Sequence, residues 1–306
     1  MTDAVLLTFH GTIRDLSDMP AFLAKIRRGR PAPPELLHEV VRRYEAIGGS
    51  PLLEISRAQA AALEERLRIP VRVAGRLWEP YPNEALQELS RAGAKRVVSL
   101  PLAPQSVHVY HASVREAAAA FPEIEIVEAP SYGLEPRLLD AFVETIEEGL
   151  GRAGLLGEGA RPRTLVLLTA HSLPLRALAQ GDPYERDFRA MADQVAARVE
   201  ALGYPVRIAF QSQGASAEPW LGPALLDVIA KLPDEGFDRA FVAPIGFVAD
   251  HVETLYDLDI EARAAASDRG LVAFGRAPTL GARPAFIEAI EAVVRRALAT
   301  APSSNR

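Results

Sequence analysis

Short runs of apolar and β-branched residues recur at Val5–Phe9, Val71–Ala74, Val97–Leu102, Ile124–Val127, Leu165–Leu168, Val206–Phe210 and Ala240–Pro244. Longer stretches between them carry the three- and four-residue spacing of amphipathic helices. That alternation predicts parallel sheets joined by helical crossovers. One crossover is expected to start with Ser56 as N-cap, run through an alanine- and leucine-rich segment to Leu67 and stop at Pro70. The stretch from Pro284 to Leu298 reads as an amphipathic helix with proline in its first turn.

Two pairs of segments resemble each other across the chain. Leu6-Leu-Thr-Phe-His-Gly matches Leu167-Leu-Thr-Ala-His-Ser, and Lys95-Arg-Val-Val-Ser-Leu-Pro matches Asp238-Arg-Ala-Phe-Val-Ala-Pro. Each half therefore reads as the same α/β unit. With 306 residues, two domains of about 150 residues each are expected. In both halves a histidine follows the carboxyl end of a strand, where open α/β sheets bind their ligands, so the active site is expected between the halves. The string Gly149-Leu-Gly-Arg-Ala-Gly is a literal G-x-G-x-x-G, but it follows a helical pattern and precedes a strand. A dinucleotide site needs the opposite order, so the string reads as a helix end and interdomain linker.

Composition narrows the chemistry. Apolar residues make up 49% and charged residues 24%, as in ordinary globular proteins. Only the tail Ala301 to Arg306 is expected to lack order. No apolar stretch is long enough for a membrane span and no basic leader opens the chain, so a cytoplasmic location is expected. The absence of cysteine excludes disulfides and thiolate-held zinc or iron–sulfur centres, leaving nitrogen and oxygen as metal ligands. A net charge of −6 argues against nucleic acid as partner.

His171, in Thr169-Ala-His171-Ser-Leu-Pro174, is either an interior hydrogen-bonded histidine or a base, since imidazole titrates near neutrality. The segment Gly246-Phe-Val-Ala-Asp250-His251-Val-Glu253-Thr-Leu-Tyr-Asp257 weighs toward function. If helical, it places Asp250, Glu253 and Asp257 on one face, where three carboxylates repel unless cations or protons lie among them. A solvated acidic helix start is the alternative. His38 reads as a surface residue, and His108 with His111 as packing rather than a metal pair.

Five strings together resemble the ferrochelatase family in order and spacing: Thr169-Ala-His171-Ser-Leu-Pro174, Gly181-Asp-Pro-Tyr184, Gln211-Ser-Gln-Gly214, Pro219-Trp-Leu-Gly-Pro223 and the acidic segment from Gly246 to Asp257. Ile26-Arg-Arg-Gly-Arg30 and Tyr44-Glu-Ala-Ile-Gly-Gly-Ser-Pro51 extend the resemblance over nearly the whole chain. It implies the class II chelatase fold, two Rossmann-like domains with parallel sheets and helices on both faces. The N-terminal domain would span 1–135 and recover 284–300 as a returning helix, and 136–283 would carry the catalytic motifs.

The resemblance implies insertion of ferrous iron into a porphyrin. His171 matches the family's active-site histidine and Glu253 its essential glutamate, both also expected to meet the metal. Asp250, His251 and Asp257 match a polar path for protons or metal, on a helix that the family locally widens. Porphyrin contacts are expected from His10, Arg27, Arg28, Ser50, Tyr132 and Trp220, with plain core packing the competing reading for Trp220. His10 stands where relatives carry Tyr or Met, Gln105 where some have histidine, and Gly281 where asparagine is common; His10 could ligate product iron. Short of the apolar insertion of membrane-associated relatives, the chain resembles the soluble bacterial enzymes that use coproporphyrin III, with protoporphyrin IX as the alternative substrate. Iron is then a substrate, no prosthetic group is expected, and neighbouring haem-pathway enzymes are expected as transient partners. A sirohydrochlorin chelatase and a non-catalytic haem carrier are the rival readings.

Overall fold

Two four-stranded parallel sheets organise the computed structural model, which describes residues 2–214 and 218–300. The tail expectation at Ala301 to Arg306 lies outside the described residues. The chain divides into two compact units, Met1–Arg137 with Gly281–Arg306 and Leu138–Leu280.

The first unit holds β1 (Asp3–Phe9), β2 (Val71–Gly75), β3 (Arg96–Pro101) and β4 (Glu125–Glu128), in the order β2-β1-β3-β4. The second holds β5 (Thr164–His171), β6 (Val206–Gln211), β7 (Arg239–Ala243) and β8 (Ala273–Arg276), in the order β6-β5-β7-β8. The orders are the same, so the sequence repeat is a repeat of topology. Central strands such as β5 are apolar almost end to end because helices cover both faces of a parallel sheet. Leu165, Val166, Leu167 and Leu168 are all fully buried; each contributes about 1.5–3 kcal/mol of burial free energy.

The helix Pro284–Thr300 lies in the first unit beside the helix Leu52–Leu67. Arg66 reaches Glu291 at 2.5 Å and Glu288 at 3.4 Å, while the Gln59 amide donates to the Gly281 carbonyl at 2.9 Å. Surface ion pairs of this kind contribute little, about 0–1 kcal/mol each. Burial of the stripe Phe286, Ile287, Ile290, Val293 and Val294 holds the helix in place more strongly.

Two local expectations are corrected. The crossover helix begins at Leu52, directly after Pro51, and Ser56 lies one turn inside it. A helix start lacks partners for its first N–H groups, so proline is tolerated there. Buried Ser56 instead donates to the Leu52 carbonyl at 2.8 Å. The glycine string ends the helix Pro136–Arg152, as expected, but is no linker, since Gly149 and Gly151 lie inside the second unit. A Cβ on Gly149 would stand 2.7 Å from the Phe241 ring, so glycine there serves helix-to-sheet packing. The strand β8 escapes the pattern reading because it is a short edge strand with a glycine inside it, preceded by Val272, which is 65% exposed. Among the described residues no helix is long and apolar enough to cross a membrane.

Candidate active site

His171 is the last residue of β5, at the carboxyl end of the second sheet. The strand order reverses between β5 and β7, which leaves a crevice outside the strand ends at that point. The loop leaving β7 closes on β5 here: the Gly246 N–H donates to the Thr169 carbonyl at 2.9 Å. A Cβ on Gly246 would fall 2.5 Å from that of Ala170, so only glycine permits the approach. The same loop delivers His251 and the short helix Val252–Leu255, with Glu253 in its first turn.

The His171 Nδ1 and a Glu253 carboxylate oxygen are 2.9 Å apart. His251 Nε2 lies 3.6 Å from the same oxygen. Both partners of the central pair keep about a third of their side-chain surface exposed, 34% and 31%. Burial disfavours the His171 imidazolium, but the adjacent Glu253 charge, its hydrogen bond and the more distant Asp257 outweigh it, so the His171 pKa is raised. For Glu253 burial favours the neutral acid, yet His171 and His251 hold the carboxyl well below its ordinary range. An ionised Glu253 must accept the Nδ1 proton, which leaves the Nε2 lone pair of neutral His171 as its basic site.

Further bonds fix this geometry. The Gln211 amide donates to the Glu253 carbonyl at 2.7 Å, and Thr169 donates to the Gln211 side-chain oxygen at 2.8 Å. Tyr184 donates to the His171 carbonyl at 2.9 Å. Backbone bonds of 2.9 Å from Leu175 to Pro219 and 2.8 Å from Leu221 to Leu173 strap the Trp220 loop to the chain just past His171. Trp220 is half-buried there, within the same unit as His171.

The acidic row is not one helical face. His251 is extended and Asp250 precedes the helix, while Asp257 opens a π-helical stretch, Asp257–Ala262. Asp250 faces Arg276 at 3.1 Å, not Glu253, and Asp257 accepts a hydrogen bond from Ser212. The expected repulsion is relieved separately at each carboxylate, by Arg276, by the two histidines and by the Ser212 hydroxyl. Among the described residues no three or more His, Cys, Asp and Glu side chains form a group able to hold a metal ion. The pair His171 and Glu253 offers two donors.

The remaining expected contacts lie in the first unit. His10 is exposed just past β1. Arg27 and Arg28 end the helix Met19–Ile26, with Arg28 in the left-handed region at φ 56°. Ser50 has a buried hydroxyl with no hydrogen-bond partner among the described residues. Tyr132 is corrected: it is 2% exposed and its hydroxyl donates to the Pro101 carbonyl at 2.6 Å, so it is a core residue and not a porphyrin wall. Burial raises its pKa accordingly. His111 is interior, bonded to the Ser99 hydroxyl at 2.8 Å and the Ala129 carbonyl at 2.9 Å, while His38 and His108 are exposed. Arg276 is not legible as a site residue in the sequence, because nothing in its spacing marks it, and Thr254 is quoted within the acidic segment without a role. Gln211 and Tyr184 stand inside the family-like strings, where the strings alone assign them no role.

The family model for ferrochelatase matches residues 2–298. A ferrochelatase of Thermus thermophilus is 35% identical over 96% of this chain and 98% of its own. The coproporphyrin III ferrochelatase of Anoxybacillus flavithermus is 35% identical over 95% and 94%, and that of Bacillus subtilis is 33% identical over 96% and 97%. Among solved structures, SirB of Bacillus subtilis with Fe3+ superposes with a TM-score of 0.59 at 16% identity, covering 97% of this chain and 96% of that one. The sirohydrochlorin chelatase of Bacillus subtilis subspecies spizizenii with cobalt gives 0.54 at 15% identity, covering 97% and 95%. The structural likeness establishes the class II chelatase fold, and the full-length sequence match goes further: the chain belongs to the ferrochelatase family.

Proposed function

We propose that this protein inserts ferrous iron into coproporphyrin III, with His171 and Glu253 handling the protons that leave the ring. The observation that carries this reading is the His171–Glu253 hydrogen bond of 2.9 Å at the carboxyl end of β5. Relatives of nearly equal length named for the same porphyrin support the substrate.

Metallation exchanges two pyrrole protons for one divalent ion, so the site must take up two protons per turnover. The His171 Nε2 accepts a pyrrole proton, and Glu253 stabilises the imidazolium formed. The Nδ1 proton then passes through Glu253 and His251 to solvent, and return of the imidazole to its Nδ1-protonated tautomer, with loss of the Nε2 proton to solvent, restores the base for the second transfer. A carboxylate and an imidazole also suit ferrous iron arriving as substrate, and four ring nitrogens complete its coordination. Trp220, strapped beside His171, contributes an apolar surface for the macrocycle. No prosthetic group enters this scheme, and the cysteine-free chain holds no thiolate-bound cluster. The reading places the enzyme in the cytoplasm, in transient contact with the enzymes before and after it in haem synthesis.

Anaerobic mixing of the protein with ferrous iron and either coproporphyrin III or protoporphyrin IX is the test. The free-porphyrin spectrum collapses to that of a metalloporphyrin, faster with coproporphyrin III. Faster turnover of protoporphyrin IX overturns the substrate, and haem binding without turnover overturns the enzyme in favour of a carrier.

A further inference from the structure

Arg276, the last residue of β8, is a cation of the second unit whose guanidinium grips two carboxylates on either side of Glu253. Its side chain is only 11% exposed. Nε and Nη2 each stand 2.8 Å from the two oxygens of Asp259, a bidentate fork, and Nη1 stands 3.1 Å from Asp250. Asp259 lies in the π-helical stretch after Glu253, and Asp250 precedes the helix that carries it. One side chain from a different strand thus ties both ends of the segment.

The tie reaches Glu253 through its neighbour. Thr254 is fully buried, and its hydroxyl donates to Asp250 at 3.0 Å while accepting from the His251 N–H at 3.0 Å. That bond fixes the N-terminus of a helix of only four residues, too short to hold its own geometry. From the other side Gln211 holds the Glu253 carbonyl.

We infer that Arg276 is a positioning residue for metallation: by clamping Asp250 and Asp259 it holds Glu253 against His171, and Asp250 serves as its counter-ion, not as a member of the proton path. This rests on the ferrochelatase reading above. Lysine keeps the charge but has no planar fork, so it cannot reproduce the bidentate bond and the third contact together.

The test compares wild type, Arg276→Lys, Arg276→Ala and Asp259→Asn in anaerobic steady-state metallation of coproporphyrin III, with thermal unfolding of each. Arg276→Lys is expected to lose at least about tenfold in kcat with KM for the porphyrin within about twofold, the range a charged hydrogen bond implies. Arg276→Ala is expected to regain rate with millimolar guanidinium and not with methylammonium. If the Arg276 variants fail to fold, Asp259→Asn carries the test, with a severalfold loss in kcat alone. A folded Arg276→Lys or Asp259→Asn enzyme with wild-type kcat, or one that loses KM and kcat together, overturns the inference while wild-type turnover keeps the ferrochelatase reading. Absence of turnover in the wild type overturns both.

Discussion

His171 and Glu253 are separated by 82 positions in sequence, yet the imidazole and carboxylate meet at 2.9 Å because one ends β5 and the other follows β7, its neighbour in the sheet. The carboxylate sets the basicity of the histidine. A carboxylate beside the ring favours the imidazolium, so the His171 midpoint is expected above the ordinary 6.5. In Glu253→Gln the charge is gone and burial remains, which acts the other way. An NMR titration of the His171 ring is expected to move its midpoint downward in the variant. For stability the sign follows: the His171 contribution is present below pH 6.5 and lost as pH rises through its raised pKa, whereas that of Glu253 is lost as pH falls through its depressed one. A midpoint that stays fixed or rises in Glu253→Gln would show that the two groups are not coupled.

His171→Ala removes the proposed base and leaves the sheet untouched, because the side chain stands at the strand end. A general base contributes about 10²- to 10⁴-fold. Metallation is expected to fall by that order while coproporphyrin III still quenches tryptophan fluorescence at about the wild-type concentration. Turnover near the wild-type rate would move the proton acceptor elsewhere.

Whatever repeats or follows a fixed spacing is legible in the sequence. The matched strings around His10 and His171 mark the equivalent ends of β1 and β5, and the sheet orders agree with that reading. The row Asp250, Glu253, Asp257 misleads because helical spacing holds only in an unbroken α-helix, whereas His251 is extended and the π-helical stretch adds a residue to the turn. Arg276 is invisible for another reason: its partners are 26 and 17 positions away and belong to no periodic pattern. Tyr132 is expected as a wall of the porphyrin cleft, and only tertiary packing shows its hydroxyl turned inward to the Pro101 carbonyl.

Thr254→Val tests the support under Glu253 as a matter of stability. Valine matches the shape, but the His251 N–H loses its partner, while the Asp250 oxygen that loses the hydroxyl keeps Arg276. Leaving buried polar groups unsatisfied costs about 1–3 kcal/mol. Urea unfolding is expected to show a loss of that size, and a loss under about 0.5 kcal/mol would mean water replaces the hydroxyl.

His10 stands in the first unit at the position that His171 occupies in the second, and it is exposed. The expectation is that it ligates the iron of the product. The metalloporphyrin complex of His10→Ala should then differ from wild type in its absorption spectrum, since loss of an axial imidazole changes the ligand field. An unchanged spectrum reduces His10 to a hydrogen-bonding neighbour of the ring.

The proposed preference for coproporphyrin III is an argument from charge. Coproporphyrin III carries four propionates and protoporphyrin IX two, so a site with unpaired arginines gains more from the first. Arg27 and Arg28 stand at the end of the helix Met19–Ile26, and among the described residues neither has a carboxylate partner, in a chain whose net charge is −6. Arg27 gives its Nε to the Pro31 carbonyl at 3.2 Å, which leaves its terminal nitrogens to face an anion. Arg28 adopts φ 56°, a conformation that costs a non-glycine residue about 1 kcal/mol or more and that the turn at Gly29 enforces. The competing account is a basic helix end that complements its own dipole, which predicts a small loss of stability and no substrate discrimination. Each well-placed charge-assisted bond is worth about 1.5–3 kcal/mol, so losing two of them amounts to a hundredfold or more. The double variant Arg27→Ala with Arg28→Ala is therefore expected to raise KM for coproporphyrin III by well over about tenfold and that for protoporphyrin IX by much less. Equal effects on the two porphyrins would return both arginines to the helix dipole and leave the substrate preference to other residues.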